Sequence, residues 1–125
     1  MALTVEAGGS RFPYIRVRLT FADEGQSSLS IEGMVDTGFD GDIVLPDDDE
    51  FLGALGQADY YLIWRLADGS RVLSPAYSAS AELADIQGLH EVVVSFLGDE
   101  ALIGRGLIDR FKVVLDHGQR ISIEP

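Results

Sequence analysis

Apolar and polar residues alternate strictly from Tyr14 to Phe21, with Ile15, Val17, Leu19 and Phe21 in one parity and Tyr14, Arg16, Arg18 and Thr20 in the other. Side chains of an extended chain point to opposite faces with period two, so this pattern predicts a strand with one face in the core and one in water. The run Asp23-Glu24-Gly25-Gln26-Ser27-Ser28 is turn chemistry, and Leu29 to Val35 returns as a second strand with Asp36 at its end. Ile43-Val44-Leu45 makes a short third strand. Pro46 and Asp47-Asp48-Asp49-Glu50 then predict a helix start, with the proline early and the acids at the positive end of the helix dipole. Phe51, Leu52 and Leu55 form that helix's apolar face, and Gly53 or Gly56 ends it. The acidic run is the solvated start of the helix, because four successive side chains do not converge on one centre.

Further along, Tyr60 to Leu66 and Arg71 to Ser74 flank Ala67-Asp68-Gly69-Ser70, and an Asp-Gly pair between extended runs predicts a hairpin. Tyr77 to Ile86 alternates again, with Tyr77, Ala79, Ala81 and Leu83 on one face. After Gln87-Gly88, the run Glu91 to Leu97 contains Val92-Val93-Val94 and predicts a strand buried on both faces. Ala101 to Ile103 is a short strand, Gly106 to Arg110 a helical turn or two, and Phe111 to Asp116 pairs with Arg120 to Glu124 as a closing hairpin. Met1 to Ser10 reads as a mobile or edge-strand arm. The expected architecture is mainly β, with one or two short helices, in a single domain over 1–125.

Composition narrows the function classes. The net charge is −12 and the pI near 4.3, so nucleic acid and anionic membrane surfaces are repelled. The chain has no cysteine, which excludes disulfides, thiol catalysis and thiolate metal sites. It has neither a basic leader followed by an apolar stretch nor a run of about 18 apolar residues, and the expectation is a cytoplasmic protein. His90 and His117 have no histidine partner at metal-ligand spacing.

The candidate chemistry lies in Leu29 to Pro46, LSIEGMVDTGFDGDIVLP, at Asp36-Thr37-Gly38. An acid at the end of an apolar strand, followed by a small hydroxyl residue and a glycine, suits a carboxylate held in a tight turn at the mouth of a cleft. A glycine there lets backbone or substrate come close. Calcium is the competing reading: with Asp36 as first ligand, Asp40, Gly41, Asp42 and Asp47 fall near EF-hand places. Gly38 stands at a ligand position, however, and the preceding segment reads as a strand, so no metal or other cofactor is expected.

Met34-Val35-Asp36-Thr37-Gly38, followed by Ile43-Val44-Leu45-Pro46 and, downstream, by Ala101-Leu102-Ile103-Gly104-Arg105-Gly106-Leu107-Ile108, resembles the retropepsin-like (retroviral-type) aspartic proteases. The resemblance runs from Tyr14 to the C-terminus. It implies a closed, barrel-like acid-protease fold acting as a two-fold homodimer on a peptide or protein substrate, with Asp36 of each subunit meeting at the axis. It further implies that Thr37 bonds across the axis, Gly38 offers its carbonyl to the peptide, and Asp40 binds substrate main chain. Arg105 would brace the site by pairing with Asp40, and the hairpin tip Ala67-Asp68-Gly69 would be the flap that closes on the peptide. Phe39 stands where the family has a small residue, the Asp36 to Leu45 segment is about one residue longer than in viral members, and the flap lacks their glycine-rich tip. A protease-like dimer that binds peptides or serves assembly without turnover is the alternative function.

Overall fold

The computed structural model describes residues 3–6, 12–23, 25–83 and 86–125. In chain order the elements are β1 (Leu3–Glu6), β2 (Tyr14–Phe21), β3 (Ser28–Val35), β4 (Ile43–Leu45), α1 (Asp49–Leu55), β5 (Tyr60–Arg65) and β6 (Arg71–Leu83). Then come β7 (His90–Phe96), β8 (Leu102–Ile103), α2 (Arg105–Ile108), β9 (Lys112–Asp116) and β10 (Arg120–Glu124). The protein is mostly β with few helical residues, as the periodicity predicts.

Seven strands pair in the order β2-β3-β8-β4-β7-β6-β5, and β2 also pairs with β6, so the first six close into a ring that leaves β5 at an edge. The ring forms because β2 is apolar on its inner face along its whole length: Ile15, Val17, Leu19 and Phe21 are all buried. Val17 lies opposite Ile31 of β3 and Leu83 of β6, and Leu19 opposite Leu29 and Ala81. The β2 and β6 side chains, with Ile43, Val94, Phe96 and Ile103, build one buried cluster, against which the half-buried Leu29 and Ile31 pack. A second sheet, in the order β1-β10-β9, adds Ile121 and Ile123 to the same cluster. Leu3–Glu6 is thus an edge strand of that sheet, and the remainder of the predicted arm lies outside the described residues.

Four local differences from the pattern have physical reasons. Tyr14, in the polar parity of β2, is buried, and its hydroxyl bonds Glu100 Oε1. The Arg71 and Tyr77 segments form one strand, since Pro75 sits just before the β7 ladder begins at Ala76, where no neighbour on that side needs its missing N–H. Val93 of β7 is half-buried while Val92 and Val94 are buried, so that strand is less enclosed than its three valines suggest. Pro46 and Asp47 precede α1 instead of opening it. Asp48 is the N-cap, and its carboxylate accepts from Glu50 N–H at 3.0 Å and Phe51 N–H at 3.1 Å. Gly56 ends the helix at φ 80°, donating its N–H to the Leu52 carbonyl. Among the described residues no helix is long and apolar enough to cross a membrane.

Removing the Asp48 cap by Asp48→Ala leaves two amide donors without their acceptor and should destabilise the fold by about 1 kcal/mol. Urea denaturation monitored by circular dichroism measures this, and an unchanged midpoint would show that the cap does not stabilise the fold.

Candidate active site

Two residues of strand, Leu102 and Ile103 in β8, fix where β3 ends. They run parallel to β3, with Met34 opposite Leu102 and Val35 opposite Ile103, and antiparallel to β4, with Ile43 opposite Ile103. Met34 N–H donates to the Ala101 carbonyl and Asp36 N–H to that of Ile103, each at 2.9 Å, while Val35 N–H reaches the Pro13 carbonyl at 2.9 Å. The backbone is therefore held on both sides up to the acid itself, and Asp36 leaves the sheet at a defined point.

Beyond it the chain turns tightly. Gly38 N–H donates to Asp36 Oδ1 at 2.9 Å and Phe39 N–H to the Asp36 carbonyl at 3.2 Å. Asp36 is half-buried, whereas Thr37 and Gly38 are exposed at the tip. One carboxylate oxygen is thus occupied by the turn. In chemical terms this is an oriented acid beside an accessible surface, suited to hydrogen bonding or proton exchange with something outside this chain.

The second predicted block docks onto the loop after the acid through its backbone. Arg105 N–H donates to the Phe39 carbonyl at 2.7 Å, Gly106 N–H to that of Gly41 at 3.0 Å, and Gly104 N–H to that of Asp42 at 2.9 Å. The approach is close enough to require glycine at two places. A Cβ on Gly104 would stand 2.1 Å from the Gly41 oxygen, and one on Gly106 would stand 2.0 Å from Asp42 Oδ1.

Within one chain the charged brace differs from the expected one. The Arg105 guanidinium pairs with Asp109 at 3.2 Å, one helical turn along, and not with Asp40, which is exposed. Arg105 braces the loop by its amide instead. The acid that holds the loop is Asp42, whose side chain is 17% exposed. Its Oδ2 accepts from Val93 N–H at 2.8 Å, and its Oδ1 faces Arg110 at 3.9 Å. Arg110 also donates to the carbonyls of Glu91 at 2.8 Å and Gly106 at 3.0 Å. The sequence offered Asp42 only as a member of the acid loop and of the rejected calcium pattern, and Arg110 only as the end of the helical turn. Asp36 and Asp42 bond in different directions, and among the described residues no group of three or more His, Cys, Asp or Glu side chains could hold a metal ion.

The β5–β6 hairpin reaches this loop through Trp64. Its ring packs edge-on against Phe39, with centroids 5.1 Å apart, and its indole N–H donates to Ser95 Oγ at 3.2 Å. A Cβ on Gly41 would collide with both rings. At the tip, Ala67, Asp68 and Gly69 are exposed, and Gly69 has φ 88°. Asp68 Oδ1 accepts from Ser70 Oγ at 2.6 Å and Ser70 N–H at 2.9 Å, and these bonds lower its pKa below the usual carboxylate value. The structure thus brings Phe39 and Trp64 together beside the acid's turn, a contact that the sequence did not predict.

Gly106→Ala forces its methyl group into Asp42 and should cost about 1–3 kcal/mol. The expected result is a lowered urea midpoint together with faster amide exchange at Val93. A variant as stable as the parent chain would show that the docked loop yields freely.

No protein-family model matches this chain, and neither does any curated protein. Among solved structures the chain is similar to a retropepsin-like aspartic protease from Rickettsia conorii, with a TM-score of 0.54 and 17% sequence identity over 98% of this chain and 90% of that one. The likeness extends over nearly the whole of this chain, and the two chains share a fold.

Proposed function

We propose that this chain is an aspartic endopeptidase that works as a two-fold homodimer, each subunit supplying one Asp36. The observation that carries this reading is the Asp36 turn itself. Its carboxylate is oriented by Gly38 N–H, and its Thr37-Gly38 tip is open to a partner, in a fold shared with a retropepsin-like aspartic protease.

Peptide hydrolysis by this route needs two carboxylates sharing one proton, because adjacent like charges cannot both ionise easily. The ionised carboxylate takes a proton from water as the water oxygen bonds to the scissile carbonyl carbon. The protonated one gives its proton to the carbonyl oxygen, leaving a neutral gem-diol. Collapse of that intermediate breaks the C–N bond: the carboxyl protonated in the first step gives its proton to the departing amine, and the other carboxylate takes one from a gem-diol hydroxyl, which restores the shared proton. One chain holds one Asp-Thr-Gly, so symmetry must supply the second acid, and the titration belongs to the pair.

In this reading the ring of strands is a barrel-like body and 1–125 a single domain in the cytoplasm. Thr37 bonds across the axis, and Gly38 and Asp40 bind substrate main chain. The tip Ala67-Asp68-Gly69 closes over the peptide, and Arg105 holds the Asp36 loop through its backbone. The Phe39–Trp64 pair ties the hairpin to that loop one residue pair before its strands end, which leaves only the turn beyond Arg65 as its movable part.

Replacement by Asp36→Asn keeps shape and hydrogen bonding but removes the base, so cleavage should fall by roughly 10²–10⁴-fold or more while peptide binding persists. Digestion of a peptide library with and without pepstatin, beside a binding assay, reads both. Binding with no cleavage by the parent chain would instead support a silent peptide-binding module. Two subunits at −12 repel each other, so dimerisation should tighten with added salt. Sedimentation equilibrium at low and moderate ionic strength measures it, and the reverse trend would contradict an interface limited by this repulsion.

A further inference from the structure

The outward face of the β5–β6 hairpin has no role in the proposed chemistry and an unusual composition. Register places Tyr61 opposite Pro75, Ile63 opposite Leu73 and Arg65 opposite Arg71, and directly opposed residues share a face. The face is therefore a ladder of three rows, aromatic then aliphatic then cationic. Trp64, Leu62 and their partners point the other way, toward the Phe39 loop and Ser95.

The ladder is open. Tyr61 is 57% exposed, Ile63 64% and Leu73 64%, and among the described residues five of the eight exposed large hydrophobic side chains lie on β5, β6 or the turn between them. Such a concentration marks a contact surface rather than scattered surface apolarity.

Charge identifies what it fits. Directly opposed like charges destabilise a strand pair, and neither Arg65 nor Arg71 has an ion pair among the described residues. By contrast, Arg105, Arg110, Lys112 and Arg120 each face an acid within 4 Å, and Arg16 and Arg18, which have no such pair among the described residues, stand opposite Glu32 and Glu82 in register. The nearby Asp68 is engaged with Ser70. On a chain of net charge −12, two uncompensated guanidiniums in one row form a local positive site on a surface that otherwise repels acids. An anion over that row would turn repulsion into two charge-assisted bonds.

Spacing adds to this. Successive rows are about 7 Å apart, the repeat of alternate side chains along an extended peptide. We propose that this face docks an extended acidic segment of a partner protein, with apolar side chains over the Tyr61 and Ile63 rows and a carboxylate over Arg65 and Arg71. The proposal does not depend on whether the chain is a protease.

The test is fluorescence anisotropy with an end-blocked, fluorescein-labelled peptide Leu-Ser-Leu-Ser-Glu-Ser-Glu and its counterpart with lysine for glutamate. Both are titrated with the chain and with Asp36→Asn, in which the probe is not consumed. The acidic peptide should bind, weaken with salt, and lose at least about tenfold in affinity in Arg65→Glu/Arg71→Glu and in Ile63→Ser/Leu73→Ser. Trp64 is the only tryptophan, so unchanged emission verifies that the hairpin stays in place in these variants. Equal binding of the lysine peptide, or undiminished binding by either variant, would overturn the proposal. So would tighter binding of oligothymidylate, or self-association of the chain that both variants abolish, which would make the face a contact between copies.

Discussion

The insertion of two residues, Leu102 and Ile103, between β3 and β4 is the constraint on which the rest depends. A strand this short contributes little pairing of its own. It is kept in place because Ile103 is fully buried and because the chain beyond it docks on the acid loop with three backbone hydrogen bonds. In return it gives β3 a partner up to its last residue, so Asp36 emerges where the sheet stops. Take away that insertion and the carboxylate would sit on an edge loop, free to sample orientations that no chemistry could use.

Once the loop is docked, everything around it is short of space, and that shortage links parts of the chain far apart in sequence. Gly104 and Gly106 admit the loop's carbonyls and the Asp42 carboxylate, and Gly41 admits Phe39 and Trp64. Asp42 fastens the loop to β7 through Val93 and faces Arg110 beyond α2. The β5–β6 hairpin is attached at the same place through Trp64. Acid, brace and hairpin thus form one packed unit, in which a displacement of one is felt by the others.

Much of this was legible in the chain and some was not, for separable reasons. Period-two patterning located β2 and its core face because a one-residue slip would expose Val17 and Leu19 to water. The resemblance to the retropepsin-like proteases singled out two blocks, Asp36 to Leu45 and Ala101 to Ile108, that the fold brings together, and the glycines in both are what their close backbone approach requires. Side-chain partners had no comparable signal. Arg105 and Arg110 are alike in sequence, and only the direction of α2 decides that the first meets Asp109 and the second Asp42. Tyr14 looked solvent-facing until Glu100, far away in the chain, supplied its hydrogen bond. The contact between Phe39 and Trp64 depends on how the hairpin folds back, which no local pattern encodes.

The central claim is that one active site is made from two chains. Mixing the parent chain with Asp36→Asn at fixed total concentration, after subunit exchange, and measuring cleavage against the parent fraction tests it most directly. If each site needs both carboxylates, the rate follows the square of that fraction and falls to roughly a quarter at equal mixing. A rate that falls in simple proportion would mean that a single chain carries the chemistry, and the paired-acid account would be wrong.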